Sequence, residues 1–144
     1  MILNHLSYKT YCNFFVTFCK GVHLIYKRID MLYTIIALFA LAAILGLILI
    51  SYVLKGKETP KGVMIVHGLF AAVALVLLLS YVFGDKPGPV ESAVLFVIAA
   101  LGGFIMMARD VTGKSIPKWL AVVHGLLAVT GFVLLLVFAF NGHS

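Results

Sequence analysis

Four long apolar runs constrain the fold of this chain more than any other feature. They extend over about residues 32–54, 62–83, 90–108 and 117–140, and the first two contain no charged side chain. A helix needs about 20 mostly apolar residues to cross the hydrocarbon core of a bilayer. Strands are excluded, because a spanning sheet must close into a barrel whose strands alternate polar and apolar residues. The runs therefore predict four transmembrane helices.

Composition agrees with a membrane protein. Hydrophobic residues make up 63% of the 144 residues and charged residues 11%, whereas soluble domains are about half apolar and about a quarter charged. The chain has 11 Lys+Arg against 5 Asp+Glu. In the membrane body these basic residues lie in short connections, where they act as topology signals. We expect the lipid bilayer to be the main partner, and we expect no nucleic-acid binding.

The basic residues also predict an orientation. Loop 55–61 contains three lysines, and segment 109–118 contains one arginine and two lysines, whereas the middle connection has only Lys86. The positive-inside rule places loops 55–61 and 109–118 in the cytoplasm and the C-terminus outside. We expect a multi-pass protein of the cell (inner) membrane.

Residues 1–30 do not fit this orientation, because four basic residues precede the first run. We interpret them as a doubtful N-terminal extension from a mis-assigned start, with translation beginning at Met31. An interfacial amphipathic segment and a poor extra span are the alternatives. Residues 31–140 then form the membrane domain, and residues 141–144 form a short tail.

The chain matches itself when it is displaced so that Pro60–Lys61 falls on Pro117–Lys118, and we call this displacement the repeat offset. At the same offset His67–Gly68 falls on His124–Gly125, and Ala42 and Gly46 fall on Ala99 and Gly103. The Pro–Lys and His–Gly matches are the informative ones, because those residue types are uncommon in spans. Each copy is a helical hairpin, about 32–83 and 90–140. We therefore predict an all-α integral membrane fold: a four-transmembrane-helix bundle made of two parallel-repeat helical hairpins, with a pseudo-two-fold axis along the membrane normal.

His67 and His124 are the only ionisable residues well inside the spans. Each lies six residues after a boundary lysine, which is roughly 9 Å in from the cytoplasmic edge at the helical rise per residue. An intramembrane ionisable residue is a functional candidate by default. Small residues follow each histidine on the same helical face, which leaves room for a close helix contact or for a planar ring.

Two histidines at one depth are the minimum for bis-histidine haem ligation, because neutral imidazole is a good axial ligand of iron. The expected site comprises the two histidines as iron ligands, four glycines that clear space, and two lysines near the propionates: His67, His124, Gly46, Gly68, Gly103, Gly125, Lys61 and Lys118. With these residues the sequence resembles, in architecture, the four-helix b-type membrane cytochromes. The resemblance implies one haem b and electron relay to a quinone or a protein partner.

Other interpretations stay open at this stage. The histidines could bond each other, a carbonyl or a water and hold the repeats together, in a non-redox protein such as a small transporter or an assembly subunit. They could relay protons or bind a chlorin or copper, and in a homodimer the ligands could come from two chains. The sequence contains no nucleophile–base set, phosphate-binding loop or dinucleotide fingerprint, so we expect no hydrolytic or transferase chemistry.

Overall fold

The computed structural model describes residues 30–84 and 87–141, and the regular elements in these two ranges are all α-helices. They are α1 (Asp30–Leu54), α2 (Lys61–Val82), α3 (Val90–Val111) and α4 (Lys118–Asn141). All four are long and apolar enough to cross a membrane, which confirms the four-helix prediction. The interpretations of residues 1–29 and of the tail after Asn141 lie outside the described residues. The chain divides into two units, Met1–Met31 and Leu32–Ser144, and the second contains nearly all of the helical residues that the structure describes.

The helices match the apolar runs closely, with one difference at the end of α3. The third run stops at residue 108, whereas α3 continues to Val111. Backbone hydrogen bonds of a helix do not require apolar side chains, so Arg109 and Asp110 extend the helix beyond the apolar run. The helix ends just before Gly113, whose φ of 70° is incompatible with continuation.

The same turn ends α1 and α3. Gly56 and Gly113 are the positive-φ glycines of the described chain, with φ values of 66° and 70°. In each turn the N–H of the following residue donates to the carbonyl five residues earlier: Lys57 to Tyr52 at 3.0 Å, and Lys114 to Arg109 at 2.8 Å. This is the Schellman arrangement, which favours glycine because it lacks the Cβ that would be strained there. The two turns are separated by the repeat offset.

Interior side chains recur at intervals of three and four residues along the helices. On α1 and α2 the buried positions are Leu32, Ile35, Phe39 and Ala42, then Ala74, Leu78 and Tyr81. This spacing places one stripe of each helix against its neighbours, and α3 packs against both α2 and α4. The outer faces are also apolar: Ile65, Leu101 and Leu126 are each 60% exposed or more. Such a surface is stable in lipid and unfavourable in water.

Aromatic contacts in the interior join residues that are equivalent at the repeat offset. Phe39 of α1 stacks on Phe96 of α3 with centroids 3.8 Å apart and planes within 6°. Tyr81 of α2 meets Phe138 of α4 edge-on, with centroids 6.3 Å apart. Each contact therefore joins the two halves of the chain at positions that match in sequence.

Candidate functional site

His67 and His124 lie on α2 and α4 with their imidazole rings next to each other. The ring centroids are 6.3 Å apart and the planes are inclined by 69°. Each histidine is the seventh residue of its helix, and both side chains are partly buried. The structure therefore brings together the two histidines that the sequence pairs.

Each histidine is hydrogen-bonded to the main chain of the preceding helix. His67 Nδ1 lies 2.8 Å from the carbonyl oxygen of Ala42 in α1, and His124 Nδ1 lies 2.8 Å from that of Ala99 in α3. A carbonyl can only accept, so each Nδ1 carries the proton. In the neutral ring Nε2 then keeps its lone pair and can accept a hydrogen bond or bind a metal.

Glycines make these hydrogen bonds sterically possible. A Cβ added to Gly46 would lie 3.2 Å from Cε1 of His67, and a Cβ added to Gly103 would lie 3.3 Å from Cε1 of His124. In each helix the glycine is one turn after the alanine whose carbonyl accepts the bond, so the imidazole passes over the glycine. We call these two arrangements imidazole notch 1 (Ala42, Gly46, His67) and imidazole notch 2 (Ala99, Gly103, His124).

The remaining predicted site residues lie away from the ring pair. Gly68 is exposed, and a Cβ built on it would meet nothing within 4 Å, whereas Gly125 has only Ile50 Cδ1 at 3.8 Å. Each follows a histidine directly and so points about 100° away around the helix. Lys61 and Lys118 are the exposed first residues of α2 and α4. The structure thus brings together the histidines, Gly46 and Gly103, and leaves these four at a distance.

Two polar contacts join different parts of the chain, and sequence analysis predicted neither of them. Ser92 Oγ donates to the carbonyl oxygen of Gly131 at 2.7 Å in the buried interior. Thr59 Oγ1 donates to Asp110 Oδ1 at 2.7 Å, and the other carboxyl oxygen, Oδ2, is buried without a partner among the described residues. Both contacts link residues far apart in sequence, and no local pattern signals them.

The donor set suits a haem better than a bare metal ion. The described residues contain no group of three or more His, Cys, Asp or Glu side chains that could enclose a metal, whereas a haem iron needs only two axial ligands from the protein. His67 and His124 would supply these two imidazole nitrogens, and their ring centroids are 6.3 Å apart. The residues present therefore fit a group that takes two imidazoles from the protein.

No protein-family model, curated protein or solved structure matches this chain. Function must therefore be inferred from the site itself.

Proposed function

We propose that the chain is an integral membrane protein built from two parallel-repeat hairpins, α1–α2 and α3–α4, about a pseudo-two-fold axis along the membrane normal. Three observations support this arrangement. The two Schellman turns are separated by the repeat offset. The ring contacts pair equivalent positions. The two imidazole notches repeat the same hydrogen bond at 2.8 Å.

In the proposed orientation, loops 55–61 and 109–118 face the cytoplasm and the chain resides in the cell (inner) membrane. Cysteine accessibility tests this orientation in a variant that lacks the native Cys12 and Cys19. A membrane-impermeant maleimide added to intact cells should label Gly84→Cys and spare Lys57→Cys. Lysed cells, in which both cysteines react, provide the control. Labelling of Lys57→Cys in intact cells would overturn the orientation.

The proposed function is one-electron relay by a small b-type cytochrome that binds one haem b between α2 and α4. His67 and His124 are the proposed axial ligands, and the observation that carries the proposal is the matched imidazole pair with both Nδ1 atoms bonded to carbonyls. Metal-binding histidines commonly make such a second hydrogen bond, which fixes the ring and leaves Nε2 for the metal. Bound haem supplies one-electron ferric–ferrous exchange, and the partner would be a quinone or another protein.

The other residues have supporting roles in this proposal. Gly46 and Gly103 let the imidazoles reach their carbonyls. The Phe39–Phe96 stack lies one turn from the alanine carbonyls and keeps that side of the site apolar. Lys61 and Lys118, exposed at the helix starts, provide cations for the haem propionates. We assign Gly68 and Gly125 no role in the ligation, because each points about 100° around its helix from the histidine that it follows.

Absorption spectroscopy of the detergent-purified protein, before and after dithionite, tests the haem proposal. The wild type should give the sharp reduced α band of a bis-histidine haem, and His67→Ala and His124→Ala should each lose it. His143→Ala, outside the spans, is the matched histidine control and should keep the band. Imidazole added to His67→Gly should restore the band if the variant is folded. A wild type that stays colourless after haem is supplied would end the proposal.

A second candidate is a non-redox membrane protein, either a small transporter or an assembly subunit, in which the histidines hold the repeats together or relay protons. The hydrogen bonds to Ala42 and Ala99 favour it, because they satisfy one polar atom of each ring without any cofactor. This candidate predicts a colourless protein whose unfolding midpoint falls in His67→Ala and in His124→Ala.

A further inference from the structure

We propose that the two imidazole notches set the redox potential of the bound haem, with Ala42, Gly46, Ala99 and Gly103 acting as positioning residues. Each notch holds its histidine as the Nδ1–H tautomer and strengthens Nε2 as a ligand. This inference rests on the proposed haem function and concerns residues that do not touch the iron.

The glycines of the notches make room for the imidazole itself. A methyl group at position 46 would lie 3.2 Å from Cε1 and 3.5 Å from Nδ1 of His67. A contact of 3.2 Å forces a neighbour to move, and this neighbour is a ring held by a 2.8 Å hydrogen bond. The ring must therefore move by a few tenths of an ångström, and we expect the bond from Nδ1 to the Ala42 carbonyl to lengthen.

Notch 2 repeats this geometry with slightly more room. A methyl group at position 103 would lie 3.3 Å from Cε1 and 3.8 Å from Nδ1 of His124. Gly102 leaves further space beside this ring, since a Cβ built on it would lie 3.8 Å from the same Nδ1. Leucine occupies the equivalent position 45 in the other half. An added methyl group should therefore disturb His124 less than His67.

The hydrogen bond acts on the iron through the ring. An Nδ1–H that donates to a carbonyl pushes electron density toward Nε2 and makes the imidazole a more basic ligand. A more basic ligand favours the ferric state over the ferrous state, so intact notches lower the midpoint potential. Axial ligands and hydrogen bonds in the surrounding shell are recognised determinants of haem potential. A lengthened bond should raise the potential.

The test compares Gly46→Ala and Gly103→Ala with Gly62→Ala and Gly68→Ala in haem-loaded protein. The two control glycines lie on α2, and a Cβ on either meets nothing within 4 Å. Spectroelectrochemical titration should give a higher midpoint potential for both notch variants, with the larger change in Gly46→Ala. A three- to tenfold change in the ferric–ferrous equilibrium corresponds to about 30 to 60 mV for one electron. The controls should keep the wild-type potential.

Nitrogen-15-edited NMR of the diamagnetic ferrous protein gives an independent readout. Each wild-type ligand histidine should show an Nδ1–H resonance. Gly46→Ala should move the resonance of His67 upfield and leave that of His124, and Gly103→Ala should do the reverse. If Gly46→Ala does not fold, the looser Gly103→Ala decides the question.

The possible failures are distinguishable. Notch variants that bind haem with the wild-type potential and unchanged Nδ1–H resonances would overturn this inference and leave the cytochrome proposal standing. Control variants that shift the potential as much as the notch variants would also overturn it. A wild type that binds no haem would overturn both proposals.

Discussion

Replacing Thr59 with valine should destabilise the protein through Asp110, a residue far away in sequence. The hydroxyl of Thr59 donates to Asp110 Oδ1 at 2.7 Å, and Oδ2 is already buried without a partner among the described residues. Valine keeps the shape of threonine and removes the donor. Thr59 is only 9% exposed, so water cannot readily replace the lost bond. An acceptor left buried without a partner costs about 1–3 kcal/mol.

A double substitution separates this hydrogen bond from simple packing. Val53 and Ile116 hold the positions equivalent to Asp110 and Thr59 at the repeat offset. The pair that is equivalent to Thr59 and Asp110 is therefore apolar at both positions. Asp110→Val alone removes the buried carboxyl but leaves the Thr59 hydroxyl without its acceptor. Thr59→Ile combined with Asp110→Val removes both polar groups and copies the apolar pair. We expect it to be nearly neutral, since replacing both partners with apolar groups of suitable shape costs little.

Unfolding by SDS titration in mixed micelles, followed by helical circular dichroism, measures these effects. We expect a loss of about 2 kcal/mol for Thr59→Val and a smaller loss for Asp110→Val, with a double variant near the wild type. Residues in direct contact show coupling energies of about 0.5–3 kcal/mol, whereas independent sites are additive. The reasoning would be refuted if the double variant lost the sum of the two single losses in unfolding free energy. It would also be refuted if Thr59→Val were as stable as the wild type.

Three further changes should lower the same unfolding free energy, and SDS titration checks each of them. Gly88→Ala should cost about 1–3 kcal/mol, because its Cβ would lie 2.9 Å from Val82 Cα, a backbone atom that cannot rotate away. A cost below about 0.5 kcal/mol would contradict that contact. Gly56→Ala should cost about 1–2 kcal/mol, because φ is 66° there and an L side chain is strained in that region. Asparagine at this position should cost less. Ser92→Ala should cost about 1 kcal/mol for the bond to the Gly131 carbonyl, and an unchanged stability would show that this bond contributes nothing.

The helices could be predicted because the relevant physics is local. Partitioning of an apolar run into a helix depends on its composition and length, which are visible without any partner. The matching positions of His67 and His124 along their helices follow as well, because each lies six residues after a boundary lysine and the rise per residue of a helix is constant. The repeat was also visible, since a single offset aligns the same uncommon residue types in both halves of the chain.

The site was only partly predictable, and the glycines show why. Gly46, Gly68, Gly103 and Gly125 were equal candidates by sequence. The structure brings Gly46 and Gly103 against the imidazoles and leaves Gly68 on the outer surface. Which glycine matters depends on how each helix is rotated about its own axis. This rotation is set by packing against other helices. The sequence of a span that is apolar on every face does not indicate which face packs inward.

The sequence by itself thus determined the number, length and order of the described helices and the matching positions of the two histidines along them, because helix length and helical geometry depend on each segment separately. Only the tertiary structure decided what the histidines bond. Every residue has a carbonyl, and the choice of Ala42 and Ala99 depends on the faces that α1 and α3 present to the rings. The Thr59–Asp110 contact has the same origin, since packing alone brings together two side chains that are so far apart in sequence.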